Sequence, residues 1–550
     1  MESNEVVVPD HARKPRRRAI IGLVVGASVI AVLQVVAPST DHQMANMASF
    51  LIGLITLLFV GLHLHRLAKL SGHGMRVPVT LVSTIAIACL VLEFDGFSGE
   101  LVPQFKPRFG SSAPPLRNLS AQAVNQVDDE GSPEVATESF AEAASTGFLG
   151  NQRTGVVSNR EFAVPTEVSE LEIVWDQGIG LGWASFAVGS GRAVTLEQRE
   201  SMDCVTCYDL QSGELLWMQS HQATHSHPMG GAGPRSTPTI EGDKVYAQDA
   251  EGLVWCLDLW SGKSVWVVDL LELANWTQVE SEAAITWGRS GSPLMVDGLC
   301  VLPYGGPIGN QSTGRSLIAL DAESGDVRWT AGTDQISYAS PVLMNLGGQK
   351  QIVSVNEKTV TGHQIDDGKV LWEISWPGQS SGGANCASAV DAGDDRFILG
   401  KGYGGGSALV KVTCDEEGRF SAEPEWESTR FLKTKFTHSC VDGNTAYGIS
   451  NGSLEAIKID SCERLWTQSR RSRFGQGQIL LVEDVIVGQA EAGEIVFARA
   501  TPNEYEELSR FSALQSKTWN IPTVAGRYLL VRNDRQAICY RLPPREPQAE

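Results

Sequence analysis

One short phrase is repeated five times in this chain, and the repetition restricts the fold more than any other feature of the sequence. Each copy has an alternating apolar stretch, a polar residue, a tight-turn pair such as Ser-Gly or Asp-Gly, and a second stretch that ends in Trp. Gly accepts the positive φ that a two-residue turn requires, so each copy predicts a β-hairpin. The copies are CYDLQSGELLW (207–217), CLDLWSGKSVW (256–266), ALDAESGDVRW (319–329), GHQIDDGKVLW (362–372) and AIKIDSCERLW (456–466).

The spacing of the copies predicts a closed ring of blades. A period of about 40–50 residues with four strands in each unit is typical of a β-propeller. Two weaker units fill the gaps: one carries the hairpin TCDEEGRF and ends near Trp426, and the other ends near Phe511. The strand Leu171–Trp175 precedes the first blade, and Cys539–Leu542 ends the last blade without a Trp strand after it. The early strand can therefore complete the last blade. We predict an all-β, eight-bladed β-propeller.

The Trp at the end of each unit is predicted to be structural. It supplies a large apolar surface at one fixed place in every blade, so we expect it to dock blades in the core and not to stack on a ligand. The predicted docking residues are Trp175, Trp217, Trp266, Trp329, Trp372, Trp426 and Trp466.

The first ninety-five residues have a different composition. Three apolar runs, Ala19–Ala37, Ala48–Leu64 and Val79–Phe94, approach or match the length of a transmembrane helix. A cleaved signal peptide is the alternative for the first run, but no clear small-residue cleavage site follows it. The basic residues alternate between the connections, which favours a cytoplasmic N-terminus and an extracytoplasmic propeller by the positive-inside rule. These basic residues are Arg13, Lys14, Arg16, Arg17 and Arg18 before the first run, and Arg66, Lys69 and Arg76 after the second.

The sequence therefore predicts a multi-pass protein of the inner (cytoplasmic) membrane with a periplasmic propeller. Residues 99–146 are rich in Pro, Ser, Ala, Glu and Asp, which predicts a disordered tether. The predicted divisions are a basic cytoplasmic tail (1–18), three transmembrane helices (19–95), the tether (96–146), the propeller (147–543) and a C-terminal tail (544–550).

Charge and cysteine content exclude several classes of function. The net charge of −20 argues against nucleic acid as a partner. Of the ten cysteines, Cys207, Cys256 and Cys539 occupy the same place in three blades, where a small buried apolar side chain is needed. Cys204 and Cys207 form a CxxC, but on a strand they point to opposite faces, and no second CxxC completes a metal site. We predict no metal site and no catalytic residue.

The segments before the innermost strands carry the candidate binding residues. Arg235, Arg289, Lys435 and Lys517 each precede such a strand, so the fold is expected to gather them at one mouth of the channel. They either form an anion-accepting funnel with an aromatic wall or pair with groups of neighbouring blades, and we favour the second interpretation. The loop with His221, His225 and His227 is predicted to be solvated and not to bind a metal. Similar places are held by Tyr338, Asn385, Gln478, Trp519 and Asn520.

The repeated unit also resembles a known family. The pattern Asp-x-x-[Ser/Thr]-Gly-x-x-x-Trp in Asp209–Trp217, Asp258–Trp266 and Asp321–Trp329 is similar to the tryptophan-docking motif of PQQ-like repeats. That family of bacterial envelope propellers includes quinoprotein alcohol dehydrogenases and a non-catalytic lipoprotein of the outer-membrane barrel-assembly machine. The segments FLGNQRTGV (148–156), GAGPRSTPTI (231–240), SYASPVLMNLGGQKQIVSV (337–355) and KTWNIP (517–522) are similar to the same family.

The resemblance leaves two functions open. The dehydrogenases use adjacent cysteines and a calcium ion held by acidic and amide side chains, but this chain has no adjacent cysteines and no acidic residue beside the strand-start motifs. It also lacks CxxCH, the haem-attachment motif. We therefore expect a non-catalytic envelope scaffold that binds protein partners and no cofactor. The alternative is a PQQ-dependent dehydrogenase of alcohols or sugars, with PQQ and calcium at the channel mouth.

Overall fold

The structure is a computed structural model that describes residues 10–37, 41–70, 72–109, 144–307, 316–380 and 382–546. Its chain divides into two compact units, Met1–Ser111 and Ser112–Glu550. The first unit is helical with one short hairpin, and the second is the propeller.

Two long apolar helices form most of the N-terminal unit. They are α1 (Asp10–Val36) and α2 (His42–Leu70), and both are long and apolar enough to cross a membrane. Glycine lets them pack closely, because a Cβ at Gly22 would lie 2.5 Å from the ring of Phe59. A third helix, α3 (Arg76–Val91), has 16 residues and is followed by a hairpin of Leu92–Phe97 with Pro103–Pro107.

The hairpin corrects two predictions made from the sequence. Three transmembrane helices were expected, but only α1 and α2 in the described part of the chain have the length to span a membrane. The third apolar run leaves the helix at Leu92, where Glu93 and Asp95 alternate with apolar residues in a β-strand. The predicted tether (96–146) contains the hairpin's second strand at its start, and its residues 110–143 lie outside the described residues, as do 1–9 and 547–550 of the two tails.

The described residues of the second unit form eight blades of four antiparallel strands each. In blades 1–7 these four strands follow chain order from the innermost outward, and in blade 8 the outermost strand comes from before blade 1. The eight-bladed prediction is confirmed. Blade 1 consists of Ala187–Gly189, Arg192–Arg199, Met202–Asp209 and Leu215–His221, and blade 2 of Thr239–Glu241, Lys244–Gln248, Leu253–Asp258 and Ser264–Asp269. Blade 3 consists of Leu294–Val296, Leu299–Pro303, Leu317–Asp321 and Val327–Ala331, and blade 4 of Val342–Leu346, Gln349–Val355, Thr359–His363 and Val370–Ser375. Blade 5 consists of Val390–Gly393, Arg396–Gly400, Ser407–Cys414 and Phe420–Ser428, and blade 6 of Cys440–Asp442, Thr445–Ser450, Ser453–Lys458 and Glu463–Thr467. Blade 7 consists of Gln478–Val482, Val485–Gln489, Glu494–Arg499 and Glu507–Ser512, and blade 8 of Thr523–Ala525, Tyr528–Arg532, Gln536–Arg541 and Glu172–Gly178.

Blade 8 closes the ring in the predicted way. Its outermost strand, Glu172–Gly178, comes from before blade 1 and pairs with Gln536–Arg541, so that Trp175 lies opposite Cys539. The segment before it adds a short parallel strand, Val156–Val157, to blade 7. Strand pairing thus joins the beginning of the propeller to its last blade, so that blade 8 has four strands and the ring is closed.

The connections between blades contain few regular elements. Between blades 2 and 3 lie α4 (Leu270–Ala274) and α5 (Gln278–Ala284), and the Asp269 and Thr277 side chains accept hydrogen bonds from the first-turn amides of α4 and α5. The other short elements are a two-stranded hairpin of Ser226–His227 with Gly231–Ala232 and the 3₁₀ turns Val168–Glu170 and Arg470–Ser472.

The outer Trp of one blade docks onto the next blade by a hydrogen bond. The indole Nε1 of Trp217 donates to the carbonyl oxygen of Leu259 at 2.8 Å, and the backbone of Gly262 lies so close that a Cβ there would be 2.5 Å from the ring. The φ of +67° at Gly262 adds a second reason for glycine at this turn. The same bond is made by Trp175 to Leu210, Trp266 to Ala322, Trp329 to Ile365, Trp426 to Ile459 and Trp466 to Thr501.

Two blades depart from this pattern. Trp372 donates instead to Oε1 of Gln351 at 2.6 Å and stacks on Phe397, with ring centroids 5.5 Å apart. The reason is the next blade, where the outer hairpin of Ser407–Cys414 and Phe420–Ser428 is longer and carries its turn away from the docking position. In blade 7 Phe511 takes the place of Trp and is buried in the core without a polar group.

Replacing Trp329 by Ala tests the docking role. The side chain is 8% exposed and donates to the next blade, so Trp329→Ala is expected to lower the free energy of unfolding by about 3–5 kcal/mol. Denaturant unfolding measures the loss. Trp260→Ala is the control, because Trp260 is 50% exposed. Equal stability of the two variants would contradict the docking role.

Candidate functional site at the channel mouth

The predicted mouth residues lie in the loops that lead into the innermost strands, except Gln478, which is the first residue of such a strand. A regular position emerges: Arg235 precedes the strand Thr239–Glu241 by four residues, and Tyr338 precedes Val342–Leu346 by the same number. Trp519 stands four residues before Thr523–Ala525. One position, four residues before an innermost strand, is thus repeated in these three blades.

The two arginines at the mouth are bonded to backbone carbonyls of the protein. Arg235 Nε donates to the carbonyl oxygen of Trp287 at 2.7 Å, and its Nη2 donates to Gly230 at 2.8 Å. Arg289 is 2% exposed and donates to the carbonyl oxygens of Pro303 and Tyr304 at 3.2 and 2.8 Å. Burial lowers the pKa of both guanidinium groups to about 10. Both cations therefore hold loops together.

The two lysines lie over aromatic rings. Lys517 Nζ is 4.5 Å from the ring centroid of Trp519 and 5.5 Å from that of Trp183. Lys435, 1% exposed, lies 5.7 Å from the ring of Tyr403. A cation over an aromatic face is attracted by the ring's electron density, so each lysine stabilises the ring that it covers.

The predicted amide and tyrosine side chains connect neighbouring loops. Asn385 Nδ2 donates to three carbonyl oxygens, including that of Trp376 at 2.9 Å. Tyr338 donates its hydroxyl to the carbonyl oxygen of Ser380. Gln478 Nε2 donates to the carbonyl oxygens of Phe436 and Trp519, and Asn520 Nδ2 donates to that of Ala184.

Aromatic rings from several blades form an arc round the mouth, which we call the aromatic belt. On one side Trp519 contacts Trp183 and Phe436, with ring centroids 4.7 and 5.1 Å apart. On the other side Trp287 contacts Tyr338 at 5.1 Å and Tyr403 at 6.2 Å. The aromatic belt is defined as Trp183, Trp287, Tyr338, Tyr403, Phe436 and Trp519.

Four residues of the aromatic belt were not predicted from the sequence. Trp183 and Phe436 occupy the position four residues before an innermost strand, so aligning the strand starts would have found them. Trp287 lies seven residues before its strand, in the sequence TWGRSGSP. Tyr403 follows the second strand of blade 5, and no repeat marks it.

The histidines of the loop before blade 2 do not converge on one site. His221 Nδ1 lies 3.1 Å from Oδ2 of Asp249, whereas His225 is 7% exposed and not solvated as predicted. Burial, together with the charge of Arg235, lowers the pKa of His225 to about 4. In the part of the chain that the structure describes, no three His, Cys, Asp or Glu side chains are placed to hold a metal ion.

The cysteines are free thiols in the structure. Cys204 and Cys207 are both fully buried, and burial raises the pKa of each thiol to about 12. Since the thiolate is the reactive form, neither residue of the CxxC is suited to redox chemistry.

Replacing Arg289 tests whether this cation serves the fold. Arg289→Met keeps most of the side chain but leaves two buried carbonyl oxygens without a donor, so the free energy of unfolding is expected to fall by about 1.5–3 kcal/mol. Arg328→Met is the matched control, because Arg328 is 57% exposed and its pair with Asp321 stabilises the fold by at most about 1 kcal/mol. Urea unfolding of both variants measures the difference. An unchanged Arg289→Met protein would assign this arginine to ligand binding.

Comparison with known proteins identifies the family. A family model described as "Outer membrane protein assembly factor BamB" matches residues 169–307 and 201–468, which together exceed half of the chain. The outer membrane protein assembly factor BamB of Shewanella oneidensis is 26% identical over 311 residues, covering 54% of this chain and 71% of that protein. The BamB of Yersinia pestis is 25% identical over 239 residues and covers 42% of this chain, which spans 55% of that relative's length.

A solved structure shares the fold at lower identity. The quinohemoprotein alcohol dehydrogenase of Pseudomonas putida HK5 is 12% identical, with a TM-score of 0.50, and the likeness covers 74% of this chain and 82% of that protein. At this identity the likeness concerns the fold alone. By its repeats, its ring of blades and the match of the family model, the chain belongs to the family of the outer membrane protein assembly factor BamB.

Proposed function

We propose that this chain is a membrane-anchored, extracytoplasmic propeller that acts as a non-catalytic protein-interaction scaffold in envelope assembly. The observation that carries the proposal is the state of the polar side chains at the mouth. Arg235, Arg289 and Asn385 donate to backbone carbonyls of neighbouring loops, and so fix the shape of the surface. A fixed surface suits the recognition of another protein. The names of the BamB relatives, which are outer membrane protein assembly factors, support the same conclusion.

The second candidate is a PQQ-dependent dehydrogenase with calcium at the mouth. Its support is the likeness to the alcohol dehydrogenase, which concerns the fold alone. The residues present do not fit the cofactor set, because the chain has no adjacent cysteines. The nearby carboxylate of Glu491 accepts from Trp519 Nε1 and from the amide of Gln476, both at 2.9 Å. We derive no reaction step through this cofactor.

The scaffold proposal is tested by comparing the envelope proteome of cells that lack the chain with that of cells that contain it. Cells that lack the chain are expected to contain less outer-membrane β-barrel protein, because an assembly scaffold acts on that class. Full-length protein supplied in trans should restore the amounts, whereas the destabilised Trp329→Ala variant should restore less. Quantitative mass spectrometry of the membrane fractions measures the change. An unaltered proteome, together with PQQ- and calcium-dependent dye reduction by the purified chain on an alcohol, would establish the dehydrogenase instead.

The side of the membrane on which the propeller lies is a separate prediction. A reporter fused after Phe109 leaves the hairpin at Leu92–Phe97 intact, and an extracytoplasmic reporter such as alkaline phosphatase is expected to be active there. With α1 and α2 as the two crossings, the chain returns to its starting side, so an extracytoplasmic propeller requires an extracytoplasmic N-terminus in place of the cytoplasmic one that the basic residues predict. A second fusion at the N-terminus tests this. Activity of a cytoplasm-only reporter after Phe109 would contradict the proposed location.

A further inference from the structure

A glycine-rich hairpin covers part of the aromatic belt. Its strands, Ser226–His227 and Gly231–Ala232, pair in the connection between blades 1 and 2. A Cβ at Gly231 would lie 2.6 Å from Cζ2 and 2.9 Å from Nε1 of Trp183, and one at Gly230 would lie 3.3 Å from Cδ1 of Trp287. Backbone therefore lies directly on two indole rings, and over Trp183 it is so close that only glycine fits.

The two indoles under this hairpin have buried N–H groups without hydrogen-bond partners. Nε1 of Trp183 and Nε1 of Trp287 are both inaccessible to solvent, and neither has an acceptor. Buried donors are normally paired, so an unpaired one requires an explanation. The docking residues show the normal state, since Trp217 and Trp329 donate to carbonyl oxygens of the next blade.

Arg235 fixes the hairpin over the indoles. It donates to the carbonyl oxygen of Gly230 on the hairpin and to that of Trp287 in the belt, at 2.8 and 2.7 Å. The carbonyl oxygen of Gly230 is thus directed to Arg235 and not to an indole. The hairpin buries the two indole N–H groups but supplies no acceptor for them. The state in which the hairpin covers the indoles is therefore less stable than a state with the same packing in which both N–H groups are hydrogen-bonded.

We infer that the aromatic belt is a binding site for a proline-rich, extended segment of a partner protein, which takes the place of the hairpin. Proline rings pack flat on Trp and Tyr faces, and a proline-rich backbone offers carbonyl acceptors without N–H donors. Those acceptors match the unpaired N–H groups of Trp183 and Trp287. This inference rests on the proposed scaffold function and names the chemistry of the partner.

The donor-rich character of the site favours this ligand over a saccharide. A saccharide also stacks on aromatic faces, but its hydroxyl groups donate as well as accept and would need acceptors of their own. The groups that the hairpin leaves unpaired in the belt are donors.

The test is a binding measurement with acetylated, amidated decaproline on the full-length chain in detergent. Trp183→Phe and Trp287→Phe each keep an aromatic ring but remove the indole N–H together with its five-membered ring, so each is expected to weaken binding about 2–10-fold. Trp260→Phe is the matched control, because it removes the indole N–H of a half-exposed Trp that bonds to Asp243 in a blade 2 turn. Its affinity is expected to equal that of the parent protein.

Gly231→Ala gives a result of opposite sign. Its Cβ would meet Trp183 at 2.6 Å, so the hairpin must move off the ring and the uncovered state becomes more populated. Affinity for decaproline is therefore expected to rise. Because this variant retains both indoles, it keeps the inference testable if Trp183→Phe lowers the melting temperature.

Three results would overturn the inference. They are no saturable decaproline binding by the parent protein or Gly231→Ala, binding that both Phe variants leave unchanged, and binding of oligogalacturonate in place of decaproline. The last result would assign the belt to an acidic saccharide. The envelope proteome comparison does not depend on this site, so failure here and failure of the scaffold proposal are distinguishable.

Discussion

The indole-to-carbonyl hydrogen bond between neighbouring blades is the interaction on which the rest of the structure depends. The blades are separate sheets, so the ring is held by side-chain contacts between them. A Trp at the outer edge supplies a large apolar surface and one directed donor, as in the bond from Trp217 to Leu259. The glycine of the receiving turn, Gly262, removes the side chain that would keep the ring away. Repeating one bond at one place gives successive blades the same spacing, which a closed ring requires.

Much of this architecture could be predicted because short, local sequence patterns determine it. The turn pair, the alternating strands and the final Trp recur within eleven residues, and a surplus strand at one end balanced a missing one at the other. The partner of Trp372 could not be predicted in this way, because it depends on how far the next hairpin extends. The end of α3 was missed because Leu92 and Phe94 continue an apolar run, although Glu93 and Asp95 set the alternation of a strand.

The mouth shows a different limit of sequence reasoning. The position of Arg235 and Tyr338 before innermost strands was predictable, since strand starts repeat. Their partners were not, because they are backbone carbonyls of Trp287 and Ser380 in other loops, and no residue pattern marks a carbonyl. Both arginines donate to backbone carbonyl oxygens, and those that Arg289 contacts belong to its own blade. The two lysines lie over aromatic rings.

Tryptophan thus serves two roles in one ring, and hydrogen bonding separates them. At the blade edges each docking indole has an acceptor, and the bond adds to stability. Under the hairpin, the indole N–H groups of Trp183 and Trp287 have no acceptor, and each unpaired donor costs about 1–3 kcal/mol. Packing alone does not require this loss, because rings without an N–H, such as Phe436, fill the same position elsewhere in the belt. An indole without an acceptor gains stability only when a carbonyl arrives from outside the propeller. Trp276, in the connection between blades 2 and 3, also buries an indole N–H without an acceptor, so it is the two unpaired donors together under one glycine-rich hairpin that point to binding.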